Sequence, residues 1–119
     1  MSHKDVSADM RSCIDECNSC RDICIESISH CLSLGGKHAK ADHIQTLIDC
    51  ADLCAASAAF MLRGSERHGD VCGVCADACE ACATSCDELA DDEMMARCAE
   101  ECRRCAGSCQ RMAGTASTA

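Results

Sequence analysis

The sequence predicts an all-α protein, an up-down-up-down antiparallel four-helix bundle with a cysteine-lined core. Three observations lead to this fold class. The 119-residue chain has no proline and only seven glycines, its breaks are few, and its sixteen cysteines recur at helical spacing. Absence of proline and scarcity of glycine favour long helices. Short connections between long helices place neighbouring helices antiparallel in a bundle.

Four helical runs result from the breaks in the sequence. The glycine pair at 35–36 ends the first run, "RGSERHGD" at 63–70 ends the second, and "ADD" at 90–92 offers a tight turn with an aspartate cap. The expected helices span roughly 5–34, 38–63, 70–90 and 92–113. A frayed tail of small residues is expected from Gly114. The length predicts a single domain over 1–119.

The cysteines fall on one face of each predicted helix. The spacing CxxxCxxCxxxC occurs at 13–24, 75–86 and 98–109. Because a helix turns about 100° per residue, steps of three and four return to the same face. These faces match the inward positions of a bundle. The inward thiols are Cys13, Cys17, Cys20, Cys24, Cys31, Cys50, Cys54, Cys72, Cys75, Cys79, Cys82, Cys86, Cys98, Cys102, Cys105 and Cys109. The opposite faces hold Asp15, Glu16, Asp77, Glu80, Glu100, Glu101, Arg103 and Arg104.

Two structural alternatives account poorly for so many inward thiols. Cysteine packs as a small apolar residue, but packing alone does not require it where leucine and isoleucine would serve. A disulfide scaffold conflicts with cysteines spaced i,i+4 on one helix, because their Cβ vectors run alongside each other. Bridges between helices are more feasible, but the expected cytosolic location, where thiols stay reduced, counts against them. The favoured interpretation is therefore a metal site.

Thiolate ligands favour Cu(I), Zn(II) and Fe–S clusters. Zinc takes four ligands in a tetrahedron, and the second helix supplies only Cys50 and Cys54, so at most two layers with one thiol per helix are possible. Zinc sites drawn from two or three helices stay open, in a zinc or other soft-metal detoxification protein. Fe–S motifs usually lie in loops and often end in C-P. This chain has no proline, so an Fe–S or thiol redox protein is the weaker alternative.

Cu(I) is satisfied by two thiolates, and an i,i+4 pair presents two sulfurs on neighbouring turns of one helix. A bis-thiolate Cu(I) unit is negatively charged, and burying several such units is costly. Bridging thiolates remove that charge as the ratio approaches one Cu(I) per cysteine. The sequence therefore predicts a large copper load. The CxxxC pairs are 13/17, 20/24, 50/54, 75/79, 82/86, 98/102 and 105/109.

Over residues 5–113 the chain resembles the bacterial copper storage proteins, through its four long helices, its lack of an aromatic core and its repeated "CxxxCxxCxxxC" stripes. The lack of a leader resembles the cytosolic branch of that family. The resemblance implies a bundle folded before metal arrives, a homotetramer, and a lumen filled with many Cu(I) ions held mainly by CxxxC cysteines. It also implies copper sequestration, with supply to a copper chaperone or copper enzymes.

Histidine and methionine residues gather at the two ends of the predicted bundle. His43 lies on the inward stripe one heptad before Cys50 and is the candidate ligand for Cu(I) capture at the favoured opening. The other end is expected to be plugged near Phe60 and Leu62. Two methionines are expected to fill gaps in the core, and three histidines are expected to be solvated. These residues are Met61, Met112, His30, His38 and His68.

Several function classes are not favoured by the composition. A net charge of −9 and a pI of about 4.8 oppose binding to nucleic acid or to an anionic membrane. No run of the roughly 18–20 apolar residues that a membrane span needs, and no secretory leader, is visible, so a cytoplasmic location is expected. No catalytic constellation is visible either. A nucleophilic cysteine needs an activating base, and no partnered histidine is expected, so the chain is not expected to be an enzyme.

Overall fold

Four long helices and one short turn make up the chain. The computed structural model describes residues 6–116. The elements are α1 (Ala8–Leu34), a 3₁₀ turn (Gly36–Ala39), α2 (Ala41–Leu62), α3 (His68–Asp87) and α4 (Glu93–Ala116). The predicted fold class, an antiparallel four-helix bundle with a cysteine-rich core, is confirmed.

The helices form a ring around one central axis. Each helix packs against its neighbours in chain order, and α4 closes the ring against α1. Within residues 6–116 the backbones of the diagonal pairs, α1 with α3 and α2 with α4, stay apart, and these helices meet through side chains on the axis, such as Cys24 with Cys82 and Cys54 with Cys105. The bundle measures 51 × 21 × 20 Å. The axis of this long, narrow bundle is therefore lined by one stripe from each helix.

Local capping fixes where α1 begins and ends and where α4 begins. Ser7 accepts a hydrogen bond from the Met10 amide at 3.1 Å, and Asp92 accepts one from the Met94 amide at 2.8 Å. Both are N-cap interactions, which satisfy amides that the first helical turn leaves unpaired. Gly35 follows α1 with a positive φ of 71°, a conformation that glycine adopts without a Cβ clash.

The observed helix bounds differ from the expected ones by a few residues. The 3₁₀ turn replaces the expected start of α2 at residue 38, and α3 begins at His68 and ends at Asp87 rather than spanning 70–90. Gly114 does not end α4, because no proline follows it and a helical glycine costs only about 1 kcal/mol. The expected start at residue 5 and the tail beyond residue 116 lie outside the described residues.

Cysteine and alanine build the core in place of large side chains. All sixteen cysteines have 0% exposure. Buried alanines, among them Ala51, Ala76 and Ala99, accompany the cysteine stripes. Ile14, Leu47, Met61 and Met95 are the largest fully buried side chains. The helices therefore enclose a column of small thiol side chains.

One charged residue does not lie where the helical pattern placed it. Glu101 was expected on an outward face, but only 8% of it is exposed. Arg104, one turn later on α4, donates to its Oε1 at 2.7 Å. Burial, and next the hydrogen bond with Glu16, raises the pKa of Glu101 to about 7. The period of a single helix does not show that α1 covers this edge of α4.

α2 departs from the expectation that no segment is apolar enough to span a membrane. Within residues 6–116 it is the one helix whose length and mean hydropathy, 1.3 over its most apolar window, meet that criterion. Its many alanines, among them the buried Ala51 and Ala58, and its inward cysteines raise the mean. A core helix of a bundle meets the same criterion, so this property alone does not place α2 in a membrane.

Candidate metal centre

The sixteen cysteine thiols form one continuous cluster along the bundle axis, here called the thiol column. Each helix contributes its inward stripe, as the i,i+3 and i,i+4 spacing requires. All sixteen are free thiols. The column runs from Cys13, Cys72 and Cys109 at one end to Cys31 and Cys86 at the other.

Many of the shortest sulfur–sulfur distances join different helices. Cys17 Sγ lies 3.6 Å from Cys109 Sγ, and Cys20 Sγ lies 3.7 Å from both Cys50 Sγ and Cys102 Sγ. Within single helices, by comparison, Cys75 and Cys79 are 3.9 Å apart and Cys105 and Cys109 are 4.0 Å apart. A thiol therefore has cross-helix partners at least as near as its CxxxC partner, which the spacing within one helix did not indicate.

The thiols group into overlapping sets of four, within which every sulfur lies within 4.8 Å of the other three. Eight of the twelve cysteines in the sets given below belong to two sets. A metal in one set would therefore share thiolates with a metal in the next. Five such sets in the described chain are Cys17/Cys75/Cys105/Cys109, Cys54/Cys75/Cys79/Cys105, Cys20/Cys50/Cys54/Cys79, Cys20/Cys24/Cys50/Cys102 and Cys24/Cys82/Cys98/Cys102.

Crowding and burial oppose the loss of protons from Cys31 and Cys86, at the His43 end of the thiol column. The neighbouring thiols Cys82 and Cys98, together with burial, raise the pKa of Cys86. Burial, and next the charge of Asp92, raises the pKa of Cys31 to about 11. In the metal-free protein these groups are therefore protonated at neutral pH. Each thiol must therefore release its proton when it binds a metal ion.

His43 lies at the end of the column, where the sequence placed it on the inward stripe of α2. Its Nε2 is 3.5 Å from Cys31 Sγ, and its Nδ1 is 2.6 Å from Ser85 Oγ. Cys31 Sγ is also 3.7 Å from Met95 Sδ. Burial lowers the pKa of His43, which favours the neutral imidazole that binds metal. Imidazole, thiol and thioether thus converge at one point.

A cleft reaches His43 from solvent. Its volume is about 450 Å³, and its walls include Lys37 in the 3₁₀ turn, Lys40 directly after that turn, and Ser85 and Glu88 at the end of α3. It gives a small solute access to the imidazole that contacts Cys31. The bundle therefore has an approach to the thiol column at this end.

The opposite end of the bundle is filled by methionine. Met61 is fully buried and Met112 is nearly so, as expected of side chains that fill gaps. Leu62, expected to help plug this end, is half exposed. His68 is partly buried, with its Nδ1 2.9 Å from the Ser65 carbonyl oxygen. It is therefore held by the backbone rather than fully solvated.

Two histidines expected to be solvated are instead partly buried beside Asp92. His30 Nε2 lies 2.6 Å from Asp92 Oδ2, and His38 Nε2 lies 3.0 Å from the same oxygen. The sequence indicated Asp92 as a helix cap but gave no signal for these contacts. They depend on how the 3₁₀ turn folds back towards the start of α4.

The contact between Cys31 and His43 also differs from the expectation that no cysteine has a histidine partner. A Cys–His pair is one arrangement that activates a catalytic nucleophile. Reactive cysteines, however, have lowered pKa values and some exposure. Cys31 has a raised pKa and no exposed surface. This pair therefore suits metal binding better than nucleophilic attack.

The family model described as "Copper storage protein" matches residues 6–114. The chain belongs to the copper storage protein family. The match includes α1, α2 and α3, most of α4 and every cysteine of the thiol column. The residues that match the family model therefore include all those that build the thiol column.

Solved structures of similar sequence share the fold. The Nmul_A1745 protein from Nitrosospira multiformis is 44% identical, with a TM-score of 0.85 over 90% of this chain and 96% of that one. Cu(I)-bound copper storage protein BsCsp3 is 33% identical, with a TM-score of 0.83 over 88% and 98%. Ccsp from Streptomyces lividans, loaded with 10 copper equivalents, is 29% identical, with a TM-score of 0.80 over 96% and 93%.

A curated relative matches part of the chain. It is the uncharacterised cysteine-rich protein YhjQ of Bacillus subtilis, 35% identical over 66 residues, or 56% of this chain. The matched region spans 61% of that relative's length.

Proposed function

We propose that this protein stores Cu(I), binding many ions in the thiol column and so sequestering them from other cellular ligands. The observation that carries this proposal is the overlap of the thiol sets, in which most members belong to two sets. Low-coordinate Cu(I) suits such shared thiolates, and soft ligands favour it over harder metals. The solved structures of the relatives BsCsp3 and Ccsp, both with copper bound, support the same function.

The proposed ligands are the sixteen thiolates of the column, together with His43 at its open end. The ligands are Cys13, Cys17, Cys20, Cys24, Cys31, Cys50, Cys54, Cys72, Cys75, Cys79, Cys82, Cys86, Cys98, Cys102, Cys105, Cys109 and His43. His43 receives an incoming ion from the cleft and passes it to Cys31, 3.5 Å away.

Charge sets the capacity of the buried column. An isolated negative charge in a dry interior costs several kcal/mol, and no cationic side chain is among the buried residues of the described chain. One Cu(I) per thiolate leaves the filled column neutral. We therefore assign a capacity on the order of one Cu(I) per cysteine, close to the sixteen thiols present.

The wider setting of the protein follows from its chemistry. We place it in the cytoplasm, where thiols stay reduced, as a single domain over 1–119 that acts as a store rather than an enzyme. Its partners are copper ions and a copper chaperone or copper enzymes, not nucleic acid or membrane. The exposed Ile25 and Leu32, one heptad apart on α1, support a homo-oligomer, which we propose to be a tetramer.

Zinc binding is the second candidate function, and a specific observation favours it. Three of the thiol sets share no member, and each could hold one tetrahedral Zn(II). These sets are Cys17/Cys75/Cys105/Cys109, Cys20/Cys50/Cys54/Cys79 and Cys24/Cys82/Cys98/Cys102.

A competition experiment separates the two metals. Reduced, metal-free protein is given excess Cu(I) and Zn(II) together without oxygen, and bound metals are counted after gel filtration. We expect copper to fill the column and zinc to stay at or below one ion per chain, because thiolates bind Cu(I) more strongly. Retention of about three zinc ions with copper excluded would support the zinc candidate instead.

A further inference from the structure

A cluster of possible metal ligands lies outside the thiol column. It consists of His30 on α1, His38 in the 3₁₀ turn and Asp92 at the start of α4, and it is called the His–Asp triad below. Both Nε2 atoms point at Asp92 Oδ2, at 2.6 and 3.0 Å. The imidazole rings meet edge to face, with centroids 6.1 Å apart. Three elements thus bring their donor atoms to one point.

The carboxylate is held in place from its other side. Asp92 Oδ1 accepts the hydrogen bond of the Met94 amide, so Oδ2 is left to face the histidines. The three side chains are 31%, 22% and 16% exposed for His30, His38 and Asp92. They are therefore fixed by packing, yet open to solvent on one side. Such a site has room for a water molecule as a fourth ligand.

We propose that the His–Asp triad binds one divalent cation of the zinc type, in a site separate from the copper store. Two imidazoles and a carboxylate match the ligands that Zn(II) uses in open sites, completed by water. The same set lacks the thiolates that select Cu(I). Bonds of about 2.0–2.2 Å place tetrahedral donors roughly 3.3–3.6 Å apart, so each imidazole nitrogen must move about 1 Å or less away from Asp92 Oδ2 to admit the ion.

A cation at this position joins the elements around the opening of the thiol column. His30 precedes Cys31, which contacts both His43 and Met95. The 3₁₀ turn that carries His38 also carries Lys37, which lines the cleft to His43. A bound cation therefore ties α1, the 3₁₀ turn and α4 together and offsets the charge of Asp92 next to Cys31.

The site is tested with Zn(II) on copper-filled protein, where the thiols are already occupied. Isothermal titration calorimetry is followed by a count of retained copper and zinc. We expect one Zn(II) per chain without loss of copper. Loss of a residue that only orients a metal ligand costs roughly 10- to 100-fold in metal affinity. His38→Ala removes a ligand itself and should therefore weaken zinc binding by more than this. Asp92→Asn keeps a competent helix cap but removes the charged ligand, and should also weaken binding.

The matched control is His68→Ala, a partly buried histidine at the opposite end of the bundle. It should leave zinc affinity unchanged. Histidine side-chain NMR signals provide a second readout, and they can be followed in metal-free protein as well, so the result does not depend on copper loading. Zinc should shift the signals of His30 and His38. The proposal is overturned if wild-type protein binds no zinc, if zinc enters only by expelling copper, or if His38→Ala binds zinc as tightly as wild type.

Discussion

The double variant Cys54→Ala/Cys79→Ala should lose more than two Cu(I) ions of capacity. Cys54 Sγ lies 3.7–3.8 Å from the sulfurs of Cys75, Cys79 and Cys105, and Cys79 Sγ lies 3.7 Å from Cys50 Sγ. Both residues belong to two thiol sets. Removing them therefore takes bridging thiolates from neighbouring ions as well as the thiolates themselves. Anaerobic copper titration against a chromophoric chelator measures the loss.

The matched control is the terminal pair Cys13→Ala/Cys72→Ala, which removes the same number of thiols from one end of the column. It should lose about two ions, by the one-ion-per-thiol argument. Circular dichroism of the metal-free variants verifies that both bundles stay helical after losing two small side chains. Equal losses from the central and terminal pairs would show that the sites are independent and not bridged.

His43→Ala should slow copper loading at least about tenfold, which is the size of effect that follows when a residue supporting a metal site is removed. The final capacity should change by no more than one ion. The rate should fall because His43 lies between the cleft and Cys31. The capacity should barely change because His43 is one ligand beside sixteen thiols. Stopped-flow absorbance of the growing thiolate–copper bands measures the rate, and the titration endpoint measures capacity.

The comparison variant is again His68→Ala, at the end where Met61 and Met112 are buried. Its loading rate should equal that of the wild type. If loading of the His43 variant is as fast as wild type, copper does not pass through the cleft beside His43. If His68→Ala is the slow variant, the opening lies at the methionine end.

Helical periodicity was sufficient to predict the inward stripes, because a single helix determines which of its residues share a face. It predicted the fold class, the burial of the cysteines and the inward position of His43. Cross-helix neighbours, such as Cys20 with Cys50, depend on the stagger between helices, which the connections set. The 3₁₀ turn at Gly36–Ala39, whose last two residues were expected to begin α2, is one such connection.

Three residues whose surroundings the sequence did not predict lie where two elements meet. Helical periodicity places Glu101 on the outer face of α4, but the residue is buried where α4 packs against α1. His30 and His38 were expected to be surface residues, but the packing of α1 and of the 3₁₀ turn against the start of α4 brings both to Asp92. Such contacts depend on tertiary packing, and the pattern within one helix carries no signal for them.

The most direct test of the copper-store account is an anaerobic Cu(I) titration of fully reduced wild-type protein against a competing chromophoric chelator, counting ions per chain. The account predicts a tight endpoint near the sixteen cysteines of the column. An endpoint of about four ions or fewer, with equal or better uptake of Zn(II), would contradict it, because four tetrahedral sites are the most that sixteen unshared thiolates can build.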